Sequence, residues 1–132
     1  MTNLAGHPKT IDETANFTRS LAVVIGIDIY SNGIRPLTTA VNDATRLADL
    51  LRTTHGYETI LLTEPAIGQP VTQTYLHKFL TEDLTTRLGD DDRLLVYFAG
   101  HGVALDGEDG PRGYLATQDA NPQNSVSFLA MT

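Results

Sequence analysis

The sequence has 132 residues, 41% of them hydrophobic and 19% charged, with a net charge of −7 at pH 7 and a pI near 4.8. That length suits one domain with a real core, and that acidity argues against a nucleic-acid partner, which needs a basic stripe to neutralise phosphates. No cysteine is present, so disulfides and thiolate metal sites are excluded within these residues; no apolar run nears the roughly 20 residues that span a bilayer, and a cytoplasmic protein away from membranes is expected.

Residues 1–20 read as a loose polar leader without an apolar signal core. Asn16-Phe17-Thr18 matches a glycosylation sequon, a chance match without a secretory signal. From residue 21 onward one domain is expected. Leu21-Ala22-Val23-Val24-Ile25-Gly26-Ile27 is a continuous apolar run, the pattern of a strand covered on both faces. A polar turn over 28–36 follows. Ala40, Val41, Ala44, Leu47, Ala48 and Leu51 then recur at helical spacing. Thr38 or Thr39 is placed to cap that helix, and His55-Gly56 to end it.

Residues 59–63 predict a second strand, and Pro65, Gly68 and Pro70 a loop. Leu76, Phe79, Leu80, Leu84 and Leu88 mark a second amphipathic helix stopped by Gly89. Asp90-Asp91-Asp92 makes the turn into a third strand, Leu94-Leu95-Val96-Tyr97-Phe98-Ala99, which runs straight into Gly100-His101-Gly102. A Gly- and Asp-rich loop is expected over 104–113, with one more short strand at Tyr114-Leu115-Ala116.

Strand, helix, strand, helix, strand implies right-handed crossovers and a mainly parallel sheet with helices on both faces. Ligands of such folds bind beyond the carboxyl ends of the strands, where strand order reverses. With the order 2-1-3, the ends of the first and third strands lie side by side, bringing Asp28 and His101 to one crevice. His101 is the side chain suited to moving protons near neutral pH. Its flanking glycines strip away bulk and free the backbone, and the Gly102 N–H is a candidate oxyanion donor. Asp28 has two readings. It caps the turn, or it forms the floor of a pocket for a basic side chain.

Leu21–Tyr30 (LAVVIGIDIY), Pro36-Leu37 with Val41-Asn42-Asp43-Ala44, Val96–Gly102 (VYFAGHG) and Tyr114–Ala120 (YLATQDA) come in an order and spacing that resembles the caspase-like cysteine peptidases. The likeness is to bacterial caspase homologues and metacaspases, over about residues 20–132. It implies a three-layer αβα caspase–haemoglobinase-like fold, incomplete in this chain, and a Cys–His dyad. His101 matches the dyad histidine, and Gly102 the residue whose N–H helps form the oxyanion hole. Metacaspase-like enzymes imply cleavage after Arg or Lys, with Asp28 as the carboxylate. Arg35 falls slightly off the register of the caspase arginine that holds a substrate aspartate, and reads as a solvated loop residue.

Such signatures place the histidine about 50 residues before the cysteine. The expectation is therefore the histidine-bearing, amino-terminal part of a peptidase domain. Its nucleophile would lie on a small-subunit-like segment after residue 132, on the same chain or another, and the chain alone would be inactive. The substrate is a polypeptide. The alternative is a catalytically inactive caspase-fold regulatory or interaction module; a flavodoxin-like small-ligand binder is a third reading, weakened by the lack of a phosphate loop. The chemistry requires no cofactor. Some metacaspases need calcium, so a Ca²⁺ site in Asp106-Gly107-Glu108-Asp109-Gly110 is conceivable, although the run lacks EF-hand spacing and reads as a solvated turn.

Overall fold

A computed structural model describes residues 17–131. Most of the leader and the sequon's Asn16 lie outside the described residues. The first strand, β1 (Ser20–Gly26), sits between β2 (Glu58–Leu62) and β3 (Arg93–Ala99) in a parallel sheet of order β2-β1-β3. Its unbroken apolar run follows from that position. Residues 21–25 are at most 3% exposed, because strands cover both edges and helices both faces.

Helix α1 (Ala40–His55) covers one face. Ala44, Ala48 and Leu51 pack on Ala22 and Val24 of β1. The small residues let the helix come close. A Cβ on Gly26 would stand 2.7 Å from the Ala44 Cβ and 2.8 Å from the Ala40 carbonyl, so only glycine fits where the helix crosses the end of β1. Neither Thr38 nor Thr39 caps α1 through its side chain; Thr39 is the N-cap residue but makes no such bond. Instead the Ala40 and Val41 N–H groups donate to the two carboxylate oxygens of Asp28, at 2.8 and 3.3 Å. A tertiary cap thus replaces the local one. Gly56, at φ 71°, ends the helix as expected.

The short α2 (Glu64–Ile67) follows β2, which stops at Leu62 because Thr63 turns out of the ladder to accept the Ala66 N–H. The opposite face of the sheet is covered by α3 (Gln73–Lys78), a π-helical turn (Phe79–Asp83) and α4 (Leu84–Arg87). Sequence periodicity predicts one regular helix here. Phe79 and Leu84 are five apart and would diverge on a 3.6-residue helix. The Leu84 N–H bonds the Phe79 carbonyl, widening one turn so that Leu76, Phe79 and Leu84 all reach the core of Leu21, Val23 and Ile25. The result is helix, sheet, helix: three layers of the expected α/β type.

The expected loop over 104–113 is instead a hairpin. β4 (Gly102–Gly107) pairs antiparallel with β5 (Gly110–Leu115), and β6 (Leu129–Ala130) adds to β5, making a second small sheet. Gly110, at φ 106°, takes the left-handed turn position. Glycine and aspartate mark the turn as readily as a loop; only pairing to β6 and to its own return strand distinguishes the two. The strand at Tyr114-Leu115 therefore belongs to this antiparallel sheet and not to the parallel one.

Candidate active site

The site lies beyond the carboxyl ends of β1 and β3, where the chain leaves β1 in one direction for β2 and returns on its other side as β3. β3 carries His101 to this edge. The Ile27 N–H, just past β1, bonds the Ala99 carbonyl at 3.0 Å and joins the two strand ends. The loop over 28–37 closes on itself, with the Leu37 N–H donating to the Asp28 carbonyl at 2.8 Å. The segment carrying YLATQDA holds this loop from outside: the Ser31 N–H donates to the Gln118 carbonyl and Asn32 Nδ2 to the Asp119 carbonyl.

That loop reaches His101 at two points. His101 Nε2 is 2.8 Å from the Arg35 carbonyl oxygen. A carbonyl only accepts, so Nε2 carries the proton in this contact, and in the neutral ring Nδ1 is left with the lone pair. The His101 backbone N–H donates to the Tyr30 hydroxyl at 2.9 Å, and the two rings lie 5.2 Å apart, tilted by 58°. Tyr30 is 8% exposed, and its hydroxyl also donates to the Ile27 carbonyl at 3.3 Å. Burial pushes its pKa upward and the nearby Asp28 charge adds to this, against the opposing hydrogen bond from His101.

Gly102 opens β4. The Ala116 N–H bonds the His101 carbonyl at 2.9 Å, so residues 101 and 116 stand at a hydrogen-bonded position of the antiparallel ladder, with one of its two bonds made. Pairs alternate, and Gly102, opposite Leu115, then falls in a non-hydrogen-bonded pair with its N–H turned away from β5.

Asp28 and His101 both stand at this end of the sheet, but the cavity that Asp28 lines is not the one that runs beside the residues just before His101. A cavity of about 360 Å³ on the β2 side is lined by Asp28, Glu64, Pro65 and Gln118 among others. A second, of about 450 Å³, runs beside Ala99 and Gly100 and is lined by Arg35, Leu37, Ala40 and Asp43. The carboxylate of the cavity next to His101 is thus Asp43, whose place in the first turn of α1 is equally explained by the helix dipole. Asp43 lies within one of the motifs that carry the family resemblance, but the motif assigns it no role, because its cavity is built from α1, the 28–37 loop and the end of β3. Arg35 contributes its carbonyl to His101 while its side chain stays exposed.

His55 and His77 are exposed on helices, away from these contacts. Asp92, of the acidic turn, accepts from the Gly89 N–H and from Arg19 at the opposite end of β3. Among the described residues no three or more acidic or histidine side chains gather as a metal site would need, and none of the helices is long and apolar enough to cross a membrane. In the β4–β5 turn, Asp109 lies 3.7 Å from Arg112.

Comparison with known proteins agrees with the geometry. A model of the caspase domain, peptidase C14, matches residues 19–127. A search of curated proteins finds no match.

Proposed function

The chain belongs to the caspase-domain peptidases of family C14, and from that premise we propose that it is the histidine-bearing part of a cysteine endopeptidase working through a Cys–His dyad. The observation that carries this reading is the Nε2–H bond from His101 to the Arg35 carbonyl. It orients the ring and leaves Nδ1 as the proton acceptor, the state a general base needs.

The nucleophile in this proposal is a cysteine on a segment following residue 132, in the same or a separate chain. Two features support it. The sequence has no cysteine of its own. Among the described residues, apolar side chains at the outer edge of β3 also stay partly open to solvent: Leu94, Leu95, Val96 and Tyr97 are 36–47% exposed. A strand laid parallel to β3 would cover them and end beside His101.

His101 Nδ1 takes the thiol proton, and the sulfur attacks the scissile carbonyl carbon. An S–C bond forms while the carbonyl π pair moves to oxygen, held by the Gly102 N–H and the cysteine's own N–H. Collapse breaks the C–N bond, and His101 returns its proton to the leaving amine. Water then attacks the thioester with His101 again as base; the acid product leaves and the thiol is restored. These steps need no metal or organic cofactor.

A preference for Arg or Lys before the cut bond is part of the proposal. Asp28 was the sequence candidate for the pairing carboxylate, but both its oxygens serve the α1 N-terminus. Asp43, in the cavity beside Gly100, is the better placed acid. A cytoplasmic setting belongs to the same reading. The experiment is a peptide panel with the protein carrying the cysteine segment. Cleavage after Arg or Lys, and a loss of at least about a thousandfold in His101→Ala, supports it. Retained hydrolysis in His101→Ala refutes it. No hydrolysis by the unsubstituted protein favours the second reading, an inactive caspase-fold interaction module.

A further inference from the structure

Gly100 and Tyr30 meet where no methyl group fits. A Cβ on Gly100 would lie 2.9 Å from the Tyr30 hydroxyl oxygen and 2.9 Å from Phe98 Cζ. The β4–β5 ladder also begins one-sided. The His101 carbonyl accepts from the Ala116 N–H as the first hydrogen-bonded pair should. The reciprocal bond, from the His101 N–H to the Ala116 carbonyl, is replaced by the 2.9 Å bond to Tyr30.

We propose that Tyr30 is the positioning residue of His101. Its hydroxyl draws the His101 N–H off the ladder and fixes the backbone at the strand end, so that the imidazole presents Nε2–H to Arg35 and keeps Nδ1 open. The functional weight of this role rests on the peptidase reading above. Tyr30 and Arg35 stand on one closed loop, which grips the histidine twice, by its backbone and by its ring. The hydroxyl serves His101 as acceptor and Ile27 as donor, which requires a protonated phenol; burial favours that form. Glycine at 100 is required for the hydroxyl to come this close. The role explains why a tyrosine is placed in a buried turn where a phenylalanine would fill the same space.

The test uses the full chain with ¹⁵N-labelled histidine. Long-range ¹H–¹⁵N spectra separate the two neutral tautomers, and amide exchange reports the backbone clamp. The unsubstituted chain is expected to show the Nε2–H tautomer at His101. Tyr30→Phe should speed exchange of the His101 amide by about tenfold, the loss of one hydrogen bond, and move the ring toward a mixture of tautomers. Leu76→Val, which thins the core at a fully buried position on α3, should lower thermal stability while leaving the His101 signals in place. An Nδ1–H tautomer in the unsubstituted chain overturns the proposal. So does a Tyr30→Phe chain with unchanged His101 signals, or a Leu76→Val chain that moves them equally. If Tyr30→Phe does not fold, fluorotyrosine incorporated into the unsubstituted chain weakens the phenol as an acceptor and must shift the His101 amide proton; an unmoved proton overturns the proposal. No readout here needs the nucleophile, so positioning and peptide hydrolysis succeed or fail separately.

Discussion

Asp28 and Asp43, two of the carboxylates near the carboxyl ends of the strands, differ in what already occupies them. Asp28 accepts two helix N–H groups, at 2.8 and 3.3 Å, and acts as the cap that Thr39 does not provide. Asp43 lines the cavity beside Gly100 and is exposed. Substitution separates the roles. If the proposed cysteine segment is supplied, Asp43→Asn should lower kcat/KM after Arg by about 10- to 100-fold, the range of one charge-assisted hydrogen bond. Its thermal stability should change little. Asp28→Ala should instead cost about 1 kcal/mol of stability through the lost cap. Equal kinetic losses in both variants, or a loss confined to Asp28→Ala, would return the specificity role to Asp28.

At the scale of elements, the two ends of β3 are held by different means. Its carboxyl end is tied to the loop that grips His101. Its amino end is held by charge: Asp92 accepts from the Gly89 N–H at 2.8 Å and from Arg19 at 3.0 Å, and Arg19 also reaches Glu58 of β2. The Gly89 N–H, then the Arg19 guanidinium, hold the Asp92 carboxyl below its usual value. A depressed carboxyl pKa contributes stability above the unfolded value, about 3.9, and loses it as pH falls through the folded one. Asp92→Asn should therefore melt lower than the parent chain at pH 7, with the gap closing as the solution is acidified below about pH 4. A gap that stays constant down to acid pH would show that Asp92 acts through shape and not through its charge. The π-helical turn belongs to this scale too, since it alone lets residues five apart share the core.

For the whole molecule, the decisive feature is the asymmetry of the parallel sheet. β2 and β3 flank β1 on either side, yet the run Leu94-Leu95-Val96-Tyr97 on β3 is more than a third exposed. Successive strand residues point to opposite faces, so a newly added strand would find apolar side chains on both. Val96→Lys places a charge in the middle of this edge, a substitution that discourages strand pairing. It should leave the melting temperature nearly unchanged, because Val96 is already 47% exposed. It should also abolish association with a peptide carrying the proposed additional strand, as followed by sedimentation velocity. Unimpaired association would mean that the segment docks elsewhere.

The sequence by itself determined the three-layer α/β plan. β1 needs apolar residues on both faces, α1 shows a helical stripe, and β3 runs into Gly-His-Gly; each is a local pattern with one physical reading. The four motifs also pointed to the caspase-domain family that residues 19–127 match. The Arg35 carbonyl at His101, the Tyr30 hydroxyl on its backbone and the Asp28 cap of α1 were decided only in three dimensions. They join residues 66, 71 and 12 positions apart in the chain. All three use a backbone group of one partner, which almost any residue type supplies and no residue pattern reveals. The hairpin over 102–115 was hidden for a related reason. Its glycines and acids satisfy a turn and a loop equally, and only the return strand, paired in turn with β6, selects between them.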